Sequence, residues 1–175
     1  MFTGTYVLLM AEYNRWMNEK VYAACATLTD EERKRDRGAF FKSIHATLNH
    51  LLSGDGIWLG RFNGKSYPSL PPGQDLHDDF DRLRAARVAL DEEILAWARS
   101  MTPETLAEPM TWTAKVYKFT QTHPRWVQAA QMFNHQTHHR GQVHALLTAA
   151  GLDVGPTDLP MMPVLLEAPL NAGTG

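Results

Sequence analysis

The strongest constraint on this chain is the spacing of its apolar residues. They recur every three or four positions over four long stretches, without the sustained alternation a strand requires. From Tyr6 to about Thr27, the residues Tyr6, Leu9, Tyr13, Met17, Val21 and Ala24 share one helical face. "LTDEER" interrupts the pattern, with Thr29 and Glu32 at the spacing of a capping box. Gly38 precedes "AFFKSIHATLNHLLSGDGIWLGRF", a second helix of roughly 22 residues by its periodicity. The Gly- and Pro-rich "NGKSYPSLPPGQ" closes it. A third helix opens among Asp75, Asp78, Asp79 and Asp81, acids suited to the positive end of a helix dipole. Its apolar stripe is Leu76, Phe80, Leu83, Leu90, Ile94, Trp97 and Met101. Residues 104–121 lose the pattern and read as loop or short hairpin. Thr122 and Pro124 mark the start of a fourth helix and Gly151 its end.

Four such segments predict an all-α four-helix bundle in a single domain, 1–175. The tail after Gly151 carries Pro156, Pro160, Pro163 and Pro169 and cannot form a long helix. It is expected to pack back on the bundle through Leu159, Met161, Met162, Val164 and Leu165, with residues 171–175 frayed.

A net charge of −2 leaves no electrostatic footprint for nucleic acid or for an anionic membrane. No apolar run is long enough to span a bilayer. Cys25 is the single cysteine, so an intrachain disulfide is excluded and a thiolate metal site disfavoured. "YVLLM" is too short for a secretory core, and the expected location is the cytoplasm.

Four of the eight histidines fall within "FNHQTHHRGQVHALL". On a helix at about 100° per residue, His135 and His139 lie about 40° apart, one turn from each other. Gln128, Gln142, Met132, Val143 and Leu146 share that stripe, which is read as facing inward. His138 lies at its edge and His144 on the far side. Histidines at i and i+4 can share a metal, because their Cβ atoms stand about 5–6 Å apart. The competing reading is a pair of core histidines hydrogen-bonded to buried polar groups. Gln136 follows His135 where a zinc protease of the H-E-x-x-H type needs its glutamate, which excludes that arrangement. A third ligand would come from the second helix, as His45 or His50. Periodicity does not choose between them and slightly disfavours His50.

Three stretches carry a resemblance. They are "AEYNRWMN" in the first helix, "LNHLLSGDGIWLGRF" in the second and "NHQTHHRGQVHALLTAAG" in the fourth. In this order and at these separations the chain resembles, nearly end to end, the DinB/YfiT-like family of metal-dependent enzymes. That resemblance implies a four-helix bundle with one divalent metal per chain, bound by His50, His135 and His139. His50 matches the family's second-helix histidine, with Asp55 and Trp58 behind it. The H-x-x-x-H pair matches His135 and His139, followed by "HRGQ" from His139 to Gln142.

Three neutral imidazoles would leave such an ion an open coordination position, the arrangement of catalytic zinc. They suit several metals, with zinc or nickel preferred here. The resemblance further implies a small-molecule substrate and chemistry with a low-molecular-weight thiol, as in an S-transferase or a related transferase or hydrolase. The alternative is a non-catalytic, stress-related metal-binding bundle. Around the ligands, Gln142 is a candidate to orient one of them. Asp55 is a candidate acceptor for a histidine N–H or a brace for the first helix. Arg140 reads as a salt-bridge or interface residue, and Trp16, Trp58 and Trp126 as packing. Tyr13, Asn14 and Asn18 match the family pattern without a role that follows from their chemistry. Finally, Trp126, Ala129, Phe133, His144 and Leu147 form a second stripe on the fourth helix, about 120–180° from His135. A cover for that stripe is expected from a homodimer, the alternative being the tail or residues 104–121 of the same chain.

Overall fold

The computed structural model describes residues 3–68, 71, 74–114 and 118–167. Helix α1 spans Gly4–Ala26, where Thr3 caps the N-terminus by accepting from the Tyr6 amide at 3.2 Å. The capping box at Thr29 and Glu32 is formed and starts the five-residue α2, Asp30–Lys34.

The second long helix, α3, is Ile44–Asn63 and begins five residues later than periodicity predicts. Ser43 decides this boundary, since its hydroxyl accepts from the Ala46 amide. Before it the chain makes a tight turn, with Gly38 at φ 73°, Lys42 at φ 67° and an Ala39–Lys42 bridge. Phe40 and Phe41 therefore lie on a loop rather than on the helix. Helix α4 is Phe80–Arg99, capped by Asp79. Asp75 and Asp78 precede it, and Asp78 pairs with Lys34 at 2.9 Å instead of facing the helix end. After the short α5, Pro103–Ala107, the chain forms β1, Pro109–Ala114, and β2, Phe119–Pro124.

These strands pair antiparallel, Pro109 opposite Pro124, so the all-α expectation is corrected: a two-stranded sheet interrupts a mostly helical chain. Threonines stabilise it across the strands, with hydroxyl contacts of 2.8 Å between Thr111 and Thr122 and 3.0 Å between Thr113 and Thr120. Thr122 and Pro124 thus end a strand, and helix α6 runs Arg125–Ala149. Arg125 fixes the junction, its amide donating to Glu108 O and its guanidinium to Phe62 O. The tail ends in a 3-10 turn, Leu159–Met161, and α7, Pro163–Glu167.

The four long helices pack around one core, α1 against α4 and α6, and α3 against α4 and α6. Leu48, Leu59, Leu83, Ile94, Leu95, Met132 and Leu147 are fully buried there. Each such side chain contributes about 1.5–3 kcal/mol relative to exposure. The tail packs back as expected through Met162, which is buried, whereas Met161 and Val164 are about half exposed. Tyr13 secures it by donating its hydroxyl to Thr157 O at 2.6 Å. Pro169 and residues 171–175 lie outside the described residues. Among those described, no helix is long and apolar enough to cross a membrane.

A polar layer crosses the core and draws on all four long helices. Arg87 of α4 bridges Asp55 of α3 at 2.6 Å and Asp91 of its own helix at 2.8 Å. From α1, Asn14 and Asn18 donate to Asp91, and Arg140 of α6 donates to Asn14 Oδ1. Charges this deep persist only when paired, and two cations here face two anions.

The burial of α6 corrects the expectation of two separate stripes on this helix. Its buried arc contains Gln128, Met132, Val143, Gln136, Leu147, Ala129, Arg140 and Phe133. On a helical wheel this is one arc from about 20° to about 160°, so the two supposed stripes are one inward face. His135 lies on its rim and His139 just inside it, and both are half-buried. Ala129, Phe133 and Leu147 are covered within the chain, whereas Trp126 of the same expected stripe is 42% exposed.

Candidate metal centre

The packing of α3 against α6 brings three imidazoles to one point. His50 Nε2 lies 3.0 Å from His135 Nε2 and 3.2 Å from His139 Nε2. One ring nitrogen from each of the three lies within 4.8 Å of the other two. Three nitrogens each about 2.0–2.1 Å from a tetrahedral ion stand about 3.3–3.4 Å apart, so the donor set fits a single divalent cation.

Each ring is held differently. His139 Nδ1 lies 2.7 Å from Gln142 Oε1, an acceptor, so Nδ1 carries the proton and Nε2 presents its lone pair. Phe41 stacks on His50 with centroids 4.0 Å apart and meets His139 edge-on at 5.5 Å. His135 has no hydrogen-bond partner at Nδ1, which is buried.

Burial lowers all three titrations. It pushes His135 down to about 3 and His50 to about 4, with further lowering of both from the neighbouring rings. His139 is lowered by burial too, against the opposing Gln142 hydrogen bond. All three are therefore neutral near pH 7, the form that ligates a metal. A cavity of about 490 Å³ adjoins the cluster at His50, and its walls include Phe40, Phe41, Lys42, Asn49 and Asp75.

Residues 1–166 match the sequence profile of the DinB family. The chain belongs to that family. This DinB-family chain is 25% identical over 156 residues to Protein DinB of Bacillus subtilis (strain 168), covering 84% of this chain and 87% of that protein. Its fold is similar to the crystal structure of a DinB-like protein from Bacillus cereus ATCC 10987, with a TM-score of 0.58 at 19% identity. That match covers 80% of this chain and 89% of the other.

The histidines that periodicity left undecided are separated by the fold. His45 is fully buried away from the cluster, its Nε2 2.9 Å from His77 O. Asn49 also clamps His77, accepting from its amide at 3.0 Å and donating to its carbonyl at 3.1 Å. His138 touches the cluster only from outside, ring to ring with His139 at 4.8 Å.

Asp55 accepts from Arg87 and, among the described residues, makes no hydrogen bond to a histidine, so it braces α4 instead of orienting a ligand or tying down α1. Arg140 is buried above the Tyr13 ring at 5.5 Å, neither a surface ion pair nor an interface residue. Asn14 and Asn18, which carried no role in the sequence, satisfy Asp91. Trp58 packs against Trp112, while Trp126 is 42% exposed. Phe41 was missed as a site residue, because its pattern reads as the start of α3.

Proposed function

We propose that this DinB-family chain is a metal-dependent enzyme for a small-molecule substrate, with His50, His135 and His139 as the ligands of one divalent ion, zinc or nickel. The observation that carries this reading is the convergence of three neutral imidazole nitrogens beside a cavity. Bound by three imidazoles, such an ion would retain an open position and would lower the pKa of bound water to about 7 or hold a thiolate there.

The chain's own residues do the rest. Gln142 keeps the His139 proton on Nδ1. Phe41 covers one side of His50 and limits water there. Phe40, 83% exposed, offers an apolar wall to the substrate at the cavity. The resemblance to thiol-linked members favours an S-transferase or a related transferase or hydrolase.

One observation favours the non-catalytic alternative, a metal-binding stress-related protein. The buried carboxylate nearest in sequence to His50, Asp55, is committed to Arg87 and does not serve as a base. The test is metal analysis of protein reconstituted with zinc and with nickel, followed by assays pairing several biological thiols with an electrophilic acceptor. One ion per chain and thiol transfer support the enzyme. One ion with no turnover supports the alternative. Full metal content after His135→Ala, or loss of metal after His144→Ala, overturns the ligand assignment.

A further inference from the structure

We propose that Gly54 is a positioning residue of this centre: the space left by its missing Cβ is where the His135 ring lies. The inference rests on the reading of the three histidines as metal ligands. A Cβ built at Gly54 would stand 2.6 Å from His135 Cε1, 3.3 Å from Nδ1 and 3.5 Å from Nε2. The first distance is shorter than real Cβ contacts allow.

Nothing else in the backbone asks for glycine at this position. Gly54 lies inside α3, one turn after His50, and the positive-φ glycines among the described residues are Gly38, Gly64, Gly151 and Gly155. In a helix interior glycine is a cost relative to alanine, so its presence calls for a packing reason. The atom it accommodates belongs to the far end of a side chain. With alanine in place, the fold is kept by rotating the His135 ring aside, and Nε2 then leaves its 3.0 Å approach to His50.

His135 is also the ring with the least other restraint. His139 is held by Gln142 and His50 by Phe41, whereas His135 Nδ1 has no partner. Its orientation comes from packing on the bare α3 backbone.

The experiment compares Gly54→Ala with Gly141→Ala, a helix glycine whose added Cβ would meet open space. Zinc affinity is measured by chelator competition, cobalt(II) coordination by visible absorption, and stability of the metal-free protein by thermal melting. A change in helix propensity alone would raise both melting midpoints and leave both affinities alone. The proposal expects Gly54→Ala to melt at or above the parent, yet to lose about tenfold or more in zinc affinity and change its cobalt spectrum. Gly141→Ala should keep parental affinity. An affinity for Gly54→Ala within about threefold of the parent overturns the proposal.

If Gly54→Ala does not fold, the double variant Gly54→Ala/His135→Ala decides. Its folding shows that the imidazole is the obstacle, and its failure to fold overturns the proposal. If the parent takes up no metal, the metal reading fails separately. The packing claim is then tested by a nuclear Overhauser contact between the His135 Hε1 and Gly54 Hα protons, whose absence overturns it.

Discussion

His50 Nε2 stands 3.0 Å from His135 Nε2, across the interface between α3 and α6. At that separation two lone pairs repel, so in the metal-free protein one ring donates an N–H to the other. Metal uptake then requires that proton to move to Nδ1, a change of tautomer without a change of charge. The lowered titrations of His135 and His50, to about 3 and about 4, make this testable. At pH 6, three imidazoles of ordinary pKa near 6.5 would release roughly two protons on binding one ion. We expect fewer than about one proton, read from zinc-binding heats in buffers of differing ionisation enthalpy. Release of two protons would contradict the neutral cluster.

The same shifts set the acid stability of the metal-free protein. The unfolded histidines take up protons near pH 6.5, but folded His50 and His135 do so only near 4 and 3. Between those values the unfolded state binds more protons, so stability falls as pH drops from about 6.5 to about 4. Asp55 works the other way. Burial pushes its carboxyl up to about 6 against the pull of Arg87, so its contribution falls as pH rises towards 6. Replacing His135 with Ala should flatten the loss of thermal stability over that range. An unchanged slope would place the acid sensitivity elsewhere.

Gln142 offers a prediction specific to one hydrogen bond. Its Oε1 accepts from His139 Nδ1 at 2.7 Å and selects the tautomer with a free Nε2. Gln142→Ala should weaken zinc binding by about 10- to 100-fold, the usual effect of losing a partner behind a metal-bound imidazole. Its fold should be unchanged by circular dichroism, since Gln142 is only half-buried. Parental affinity in the variant would assign that contact no part in the site.

The H-x-x-x-H pair was legible in the sequence because a turn of helix fixes its geometry, whatever the tertiary packing. The choice of His50 over His45 was not, since thirteen of the twenty residues in α3 are buried, polar Asn49 among them, and Lys42, which reads as part of the polar arc, lies before the helix. The wheel of α6 misled for a related reason. Gln136 and Arg140 read as polar, and so split one buried face into two stripes. Charged Arg87 stands in the apolar row between Leu83 and Leu90, with Asp91 one turn on, and that was the available signal for the polar layer. The start of α3 was misplaced because Phe40 and Phe41 fit helical spacing, while the Ser43 cap and the left-handed Lys42 are local events that periodicity does not register.

The polar layer yields the last prediction. Arg87 is the cation that holds both Asp55 and Asp91 in the core, and its guanidinium is itself held charged by them despite burial. Arg87→Met keeps much of the volume and the helix propensity but leaves two carboxylates facing Asn14, Asn18 and Arg140 alone. Breaking a buried pair in this way costs about 3–5 kcal/mol. That is far more than the median exposed ion pair, such as Arg15 with Glu92, which contributes about 0–1 kcal/mol. Without Arg87 the Asp55 carboxyl is pushed further up, so it takes a proton more readily and the penalty shrinks as the pH is lowered from 7 to 5. Urea unfolding of parent and variant at both pH values measures this directly. A loss below about 1 kcal/mol at pH 7 would show that the layer is solvated in solution. A loss of equal size at both pH values would show that the penalty does not come from the carboxylates.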